Sequence, residues 1–284
     1  MTRYAEVIGD PIAQSKSPLI HRFWLQRLGI EGHYARRRVL VEDLPAYLAG
    51  KRSDPHWRGC NVTIPHKQLV LSMLDRIDPL AERIGAANIV VREGDMLIGH
   101  NSDAPGFLEP LRALLAQRHL LRTARILGTG GAACAVAQAL WDEGFTLIIA
   151  GRDPAKAQAL ADRFGGKDVH VADLARFAEP LSFDWGDTGD RLDLVVNTTS
   201  LGMAGQPPLA LDFSNVPPGA VVYDAVYAPL ETPLLTEARS RGHETIDGLR
   251  MLVGQARAAF RHFYGAEPPS DAESDAELRT LLLA

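Results

Sequence analysis

At 284 residues, with 46% hydrophobic and 23% charged residues, the chain has an ordinary globular composition and the length of about two domains. A formal charge of −5 and the lack of any basic block with interleaved aromatics exclude a general nucleic-acid binder. No stretch is long and apolar enough to span a bilayer, and the start, MTRYAEVIGDP, carries no signal-peptide core, so a cytoplasmic protein with no membrane partner is expected. The two cysteines, Cys60 and Cys134, lie in apolar surroundings without a CxxC or a nearby His pair, and read as buried reduced thiols.

Short β-rich runs alternate with helical patterns, the signature of an α/β protein with largely parallel sheets. Strands are predicted at about 4–8, 34–39, 57–62 and 88–91, with helices near 17–29, 43–50 and 66–74 between them. NIVVREGDMLIG reads as a hairpin turning at Glu93-Gly94-Asp95. Near residue 105 the character changes. PGFLEPLRALLAQR is predicted as one helix, and ARILGTGGAACAVAQALWDEGFTLIIAGRD after it reads strand, glycine turn, helix, strand. AEPLSFDWGDTGDRLD reads as a polar surface loop, followed by strands at about 193–197 and 220–223. After Gly248 the pattern is helical again through LRMLVGQARAAFRHF, and the end of the chain is predicted helical too.

Gly128, Gly130 and Ala133 match G-x-G-x-x-A directly after an apolar strand and directly before a helix. Gly128 permits the tight turn, Gly130 lets backbone approach a pyrophosphate, and Ala133 allows close helix–strand packing. The helix N-terminus offers unpaired N–H groups and a positive dipole end to phosphates. At the end of the next strand, IIAGRDPAKA offers both Arg152, suited to a 2′-phosphate, and Asp153, suited to a ribose hydroxyl. Asp153 before Pro154 also reads as a helix N-cap. Arg152 and Lys156 then remain for a phosphate, where one charge-assisted hydrogen bond is worth roughly 1.5–3 kcal/mol, about a tenfold to hundredfold preference. NADP(H) is therefore expected, with NAD(H) left open.

Polar clusters interrupt the first third where apolar residues are expected. GDPIAQSKSPLIH sets Ser15 and Ser17 two residues apart before a helix beginning at Pro18; Ser17 reads as its N-cap, whereas Ser15 has no such explanation. In GCNVTIPHK, strand alternation sends Asn61 and Thr63 to one face and Val62 and Ile64 to the other. Lys67 then sits at a turn entering a helix, where the dipole disfavours a cation unless it has work to do. Asn88 lies in GAANIVV, and Asn101 and Asp103 lie in GHNSDAPGF at the boundary of the two domains, where Asp103 could also cap a helix near Pro105. A polyol carboxylate needs this inventory of hydroxyls, amides, one ammonium and one carboxylate.

GDPIAQSKSP, NVTIPHK, GAAN, GHNSDAPGF, GTGGAA, NTTSLGM, YDAVYAPLETPLL and DGLRMLVGQA, in this order and spacing, resemble the shikimate dehydrogenases over nearly the whole chain. The resemblance implies an α/β substrate-binding and catalytic domain of mixed, mainly parallel sheet at 1–104 plus 248–284, and an inserted Rossmann-like NADP-binding domain at 105–247. It implies reduction of 3-dehydroshikimate to shikimate with NADPH. Ser15 and Ser17 would hold the substrate carboxylate with Tyr227, while Asn61, Thr63, Asn88, Asp103 and Gln255 would hold the ring hydroxyls. Lys67 and Asp103 would form the catalytic pair. On the cofactor side it points to Gly128, Gly130, Gly131, Ala132, Ala133, Arg152, Lys156, Thr198, Met203 by the nicotinamide, and Gly248 at a close approach. It implies no metal.

The chain departs from the family pattern at Arg22, where Asn is usual, at Ile89 and Ser102, where Thr is usual, and at Gly151-Arg152-Asp153, where Asn-Arg-Thr is usual. The last departure bears on the cofactor and keeps an NAD-dependent quinate/shikimate dehydrogenase as the nearest alternative. A non-catalytic metabolite or redox sensor on the same scaffold is the alternative of another class, and retention of both Lys67 and Asp103 argues against it. Monomer and homodimer both fit the chain.

Overall fold

The computed structural model describes residues 2–186 and 188–283; Met1, Ala284 and Asp187, the last within the predicted polar loop, lie outside the described residues. The chain divides into two compact units, Met1–Asp103 with Val253–Ala284, and Ala104–Leu252. Where the sequence expectation returns to the first domain at 248, this division falls further along the chain, between Leu252 and Val253.

The first unit opens with β1 (Tyr4–Gly9), α1 (Ser17–Arg27), β2 (His33–Arg38), α2 (Leu44–Arg52), β3 (Trp57–Val62) and α3 (His66–Leu69). β4 (Arg76–Ile77), α4 (Pro79–Ile84), β5 (Ile89–Glu93) and β6 (Met96–His100) follow. Its sheet runs β2-β1-β3-β5-β6-β4, parallel except where β5 pairs with β3 and β6. Alternation in β5 sends Val90 to one face, with Ile8, Trp57, Val62 and Leu44 and Leu48 of α2, and Ile89 and Val91 to the other, with Val7, Tyr34 and Phe263. A bulge in β3 takes up one residue, since Tyr4 faces Trp57 but Ala5 faces Gly59. The shift leaves Cys60 and Val62 on the same face as Trp57, and turns Asn61 toward Tyr34. Because β5 runs against its neighbours, the ends of β1, β3 and β6 and the start of β5 share one edge of the sheet.

The second unit takes up α5 (Asp103–Leu108) from Ala104 onward, then α6 (Arg112–Leu115), β7 (Leu121–Leu127), α7 (Gly131–Asp142), β8 (Thr146–Gly151), α8 (Pro154–Ala161) and β9 (Val169–Asp173). It continues with β10 (Arg191–Asn197), β11 (Val221–Asp224), α9 (Pro233–Ser240) and β12 (Thr245–Ile246). α10 (Gly248–Tyr264) and α11 (Ala272–Leu283) close the chain. The sheet is parallel throughout, in the order β12-β11-β10-β7-β8-β9. That is the doubly wound dinucleotide-binding order, and it reverses between β7 and β10.

The single helix predicted over 105–118 is instead α5, a 3-10 turn at Glu109–Leu111, and α6. Pro110 within this stretch has no N–H to continue the ladder. Ser17 does not cap α1: the helix starts at Ser17 itself, and Lys16 stands at the N-cap without a side-chain cap bond. α4 escaped the sequence reading although Asp78 accepts from the Leu80 N–H, Pro79 opens it and Gly85 closes it left-handed. α9, capped by Thr232 before Pro233, and the short β4 and β9 were missed as well. Both cysteines are buried and outside any disulfide, as expected, and burial pushes the Cys60 thiol well up. Among the described residues no helix is long and apolar enough to cross a membrane, and no cluster of side chains could hold a metal ion.

Candidate active site

Lys67 stands one residue into α3, after the turn in which the His66 N–H donates to the Thr63 carbonyl at 2.9 Å. Its own carbonyl accepts from the Ala87 N–H at 2.8 Å, tying α3 to the segment ahead of β5. Asp103 follows β6 as the first residue of α5, so it does not precede and cap the helix. The Lys67 ammonium nitrogen Nζ and Asp103 Oδ2 are 2.5 Å apart, with the side chains only 14% and 5% exposed. A buried ion pair costs desolvation on both sides and is weak evidence for a stabilising role. Its presence at a sheet edge lined with polar groups points to chemistry.

Asn88 organises the acid. Its Nδ2 donates to Asp103 Oδ1 at 2.9 Å, to Ser102 Oγ at 3.0 Å and to Gln255 Oε1 at 3.3 Å, while its Oδ1 accepts from the Ser102 N–H at 2.8 Å. Asn101 pins the same loop, donating to the Ala86 carbonyl and accepting from the Asp103 N–H. Asn61 is buried between Tyr34, whose hydroxyl donates to its Oδ1 at 2.6 Å, and the Asn88 carbonyl, which accepts from its Nδ2 at 3.2 Å. Thr63 follows β3 and touches the end of β1 at Gly9, where a Cβ would stand 2.5 Å from its methyl. Ser15, in the loop after β1, and Ser17, the first residue of α1, are buried; Ser15 Oγ accepts the Ser17 N–H at 3.4 Å, and Arg36 holds the Ser15 carbonyl at 2.7 Å. Lys67, Asp103, Asn88, Gln255 and Asn61 are thus joined by direct hydrogen bonds, with Thr63, Ser15 and the helix-opening Ser17 at the same edge. Sequence reasoning missed Tyr34 and gave Ser102 no role; no linear pattern marks either one, because both act across strands.

In the second unit, Gly128 takes φ +124°, and a Cβ there would lie 2.4 Å from Thr198 Oγ1. The Thr198 hydroxyl and N–H both donate to the Leu127 carbonyl, each at 2.8 Å, across the β7–β10 switch. Gly130 is the N-cap of α7 with no side-chain cap bond, and a Cβ built on it meets nothing within 4 Å. No protein atom demands glycine at 130, and the unsubstituted N-cap with the first-turn N–H groups of Gly131, Ala132 and Ala133 fits an approaching pyrophosphate. Ala133 is fully buried against the sheet, as the close-packing reading requires.

At the end of β8, Asp153 caps α8, accepting from the N–H groups of Ala155 at 3.0 Å and Lys156 at 3.3 Å. Arg152 is exposed and makes no hydrogen bond or ion pair among the described residues, and the exposed Lys156 reaches Asp153 only at 3.9 Å. Gly248 has a protein reason to be glycine: a Cβ would stand 2.4 Å from the Ala225 carbonyl oxygen.

Beyond the reach of the sequence reading, buried Asn197 and Asp224 form a hub behind the loops that carry Thr198, Met203 and Tyr227. Asn197 Nδ2 donates to Asp224 Oδ1 at 2.9 Å and to the Leu201 carbonyl at 3.1 Å, and Asn197 Oδ1 accepts from the Thr199 hydroxyl at 2.7 Å. The Val226 N–H also donates to Asp224 Oδ1 and the Thr232 hydroxyl to Oδ2, and burial raises the Asp224 carboxyl above the ordinary range. Ala204, next to Met203, donates to the carbonyl of Ala228, next to Tyr227, at 2.8 Å. A buried Asn ending an apolar strand was the available signal.

A glycine turn at the switch point of a doubly wound sheet defines the class, a dinucleotide-binding α/β oxidoreductase. Residues 7–90 match the shikimate dehydrogenase substrate binding domain, and residues 114–183 match shikimate / quinate 5-dehydrogenase. A shikimate dehydrogenase (NADP(+)) from Sphingopyxis alaskensis is 50% identical over 99% of this chain and 97% of its own. Shikimate 5-dehydrogenase from Thermus thermophilus, in complex with NADP(H) and shikimate, superposes with a TM-score of 0.81 at 36% identity, covering 100% of both chains. Quinate dehydrogenase from Corynebacterium glutamicum, in complex with NAD, gives 0.82 at 33% identity over 99% of each. The chain belongs to the shikimate dehydrogenase family.

Proposed function

We propose that this chain reduces 3-dehydroshikimate to shikimate with NADPH, reversibly. One observation carries the chemistry: an ammonium and a carboxylate 2.5 Å apart, buried among amide and hydroxyl groups. Bound NADPH supplies the hydride to the ring ketone. The oxygen left behind needs a proton, and Lys67 Nζ is the donor; in the oxidising direction the same nitrogen takes the proton back. Asp103 holds Lys67 through Oδ2 and, as an acceptor, orients the reacting hydroxyl. Asn61, Thr63, Asn88 and Gln255 hold the remaining ring oxygens, and Ser15 and Ser17, with Tyr227, hold the carboxylate. Asn88 and Gln255 exchange part of their mutual bonding for substrate on binding.

For the cofactor, the turn from Gly128 to Ala133 holds the pyrophosphate, Thr198 and Met203 line the nicotinamide side, and Arg152 with Lys156 takes the 2′-phosphate. Asp153 is committed to its cap, which supports NADP(H) over NAD(H). The likeness to an NAD-bound quinate dehydrogenase keeps one rival in view. Comparing kcat/KM for shikimate and quinate, each with NADP⁺ and NAD⁺, tests the reading: it requires shikimate with NADP⁺ to lead, and a lead for quinate with NAD⁺ would overturn it. Ranges 1–104 plus 248–284 and 105–247 serve as substrate and cofactor domains. The enzyme acts in the cytoplasm, as monomer or homodimer, on the route to chorismate and the aromatic amino acids.

A further inference from the structure

We propose that Tyr34 holds the Asn61 amide in the sense set by the Asn88 carbonyl, so that Asn61 meets the substrate only as a donor; the proposal rests on the reading of Asn61 as a substrate residue. Tyr34 lies on β2, fully buried, and its hydroxyl donates to Asn61 Oδ1 at 2.6 Å. Asn61 Nδ2 donates to the Asn88 carbonyl at 3.2 Å. Turning the amide over would set its oxygen against that carbonyl oxygen, acceptor against acceptor, so the carbonyl selects the sense; the Tyr34 hydroxyl, which can donate or accept, holds the amide in it by donating to Oδ1. Nδ2 carries two hydrogens and the Asn88 carbonyl takes one. The other has no partner among the described residues and is left for a ring oxygen, which must accept.

Tyr34 is itself held in place. Its ring stacks on that of His21 with centroids 3.9 Å apart and planes 3° from parallel, and Phe263 lies tilted at 6.3 Å. Phenylalanine at 34 keeps this stack and removes only the hydroxyl. Tyr34 is thus a positioning residue that acts through Asn61, and its effect must vanish when Asn61 is gone.

The test is a double-mutant cycle of Tyr34→Phe and Asn61→Ala, read as kcat and KM for shikimate and for NADP⁺, with melting curves alongside. The expected result is a KM for shikimate raised about three- to tenfold by Tyr34→Phe, an unchanged KM for NADP⁺, and no further change when Tyr34→Phe is added to Asn61→Ala. Additive losses, or a wild-type KM in Tyr34→Phe, would overturn the proposal. Asn61→Asp checks the polarity without touching Tyr34: an acceptor-only side chain must lose shikimate affinity by at least as much as Asn61→Ala, and retained affinity would overturn it. Wild-type turnover of shikimate is the control. Its absence would sink the functional reading together with this proposal, whereas an active wild type with an additive cycle sinks the proposal alone.

Discussion

Asn88 and Asp103 are locked together: the amide of one donates to Oδ1 of the other at 2.9 Å, which leaves Oδ2 to face Lys67. The amide is in turn oriented by the Ser102 N–H at 2.8 Å, so a backbone group at the start of α5 aims the carboxylate. Asn88→Ala removes a hydrogen bond to a charged acceptor, worth about 1.5–3 kcal/mol. We expect kcat/KM for shikimate to fall about tenfold to hundredfold in steady-state assays, with the KM for NADP⁺ unchanged. Wild-type kinetics in this variant would show that Asp103 needs no such guide.

Gly130→Ala and Gly128→Ala separate cofactor demands from protein demands. A methyl at 130 meets nothing, so the free protein should melt at the wild-type temperature, while the rise in Tm caused by NADP⁺ should shrink or vanish. A methyl at 128 would press on Thr198 Oγ1 at 2.4 Å from a backbone at φ +124°, so Tm itself should fall. Equal NADP⁺-induced shifts in wild type and Gly130→Ala would contradict the pyrophosphate assignment.

Arg152 is exposed at the end of β8 beside a capped Asp153. Arg152→Ser should raise the KM for NADP⁺ by about tenfold to hundredfold, the worth of one charge-assisted bond, and leave the KM for NAD⁺ alone. Parallel titrations with both cofactors check this, and an equal loss with both would move the 2′-phosphate elsewhere.

His21 is fully buried, with neither ring nitrogen hydrogen-bonded among the described residues, and burial pushes its pKa from 6.5 down to about 3. Between those values the unfolded chain binds a proton there that the folded chain does not. Stability therefore falls as pH drops from about 6.5 toward about 3, by at most about 1.4 kcal/mol per pH unit. His100 and His262, with rings 4.2 Å apart, are lowered by burial and act in the same direction. His21→Phe keeps an aromatic ring against Tyr34 and should move the acid unfolding midpoint to lower pH, as followed by circular dichroism. An unmoved midpoint would rule His21 out as a source of acid sensitivity.

What could be read along the chain was local. The glycine turn is legible because strand, turn and helix are contiguous, and the Asp153 cap because Asp-Pro is a two-residue signal. Lys67 and Asp103 are 36 positions apart, and only the antiparallel placement of β5 between β3 and β6 brings their loops together, a pairing that periodicity does not encode. Tyr34 reads as an ordinary buried strand residue until the bulge in β3 turns Asn61 toward it. Ser17 was misread because Ser-Pro before an apolar run mimics a cap, whereas the helix begins one residue earlier than expected. The helix over 105–118 looked continuous because its apolar spacing outweighed Pro110.

Proton transfer by Lys67 is the central step of the proposed reaction, and Lys67→Ala tests it most directly. With shikimate and NADP⁺ followed by absorbance, kcat should fall by about 10²–10⁴-fold while the KM for shikimate stays near that of the wild type. Wild-type turnover in a folded Lys67→Ala protein would contradict the mechanism.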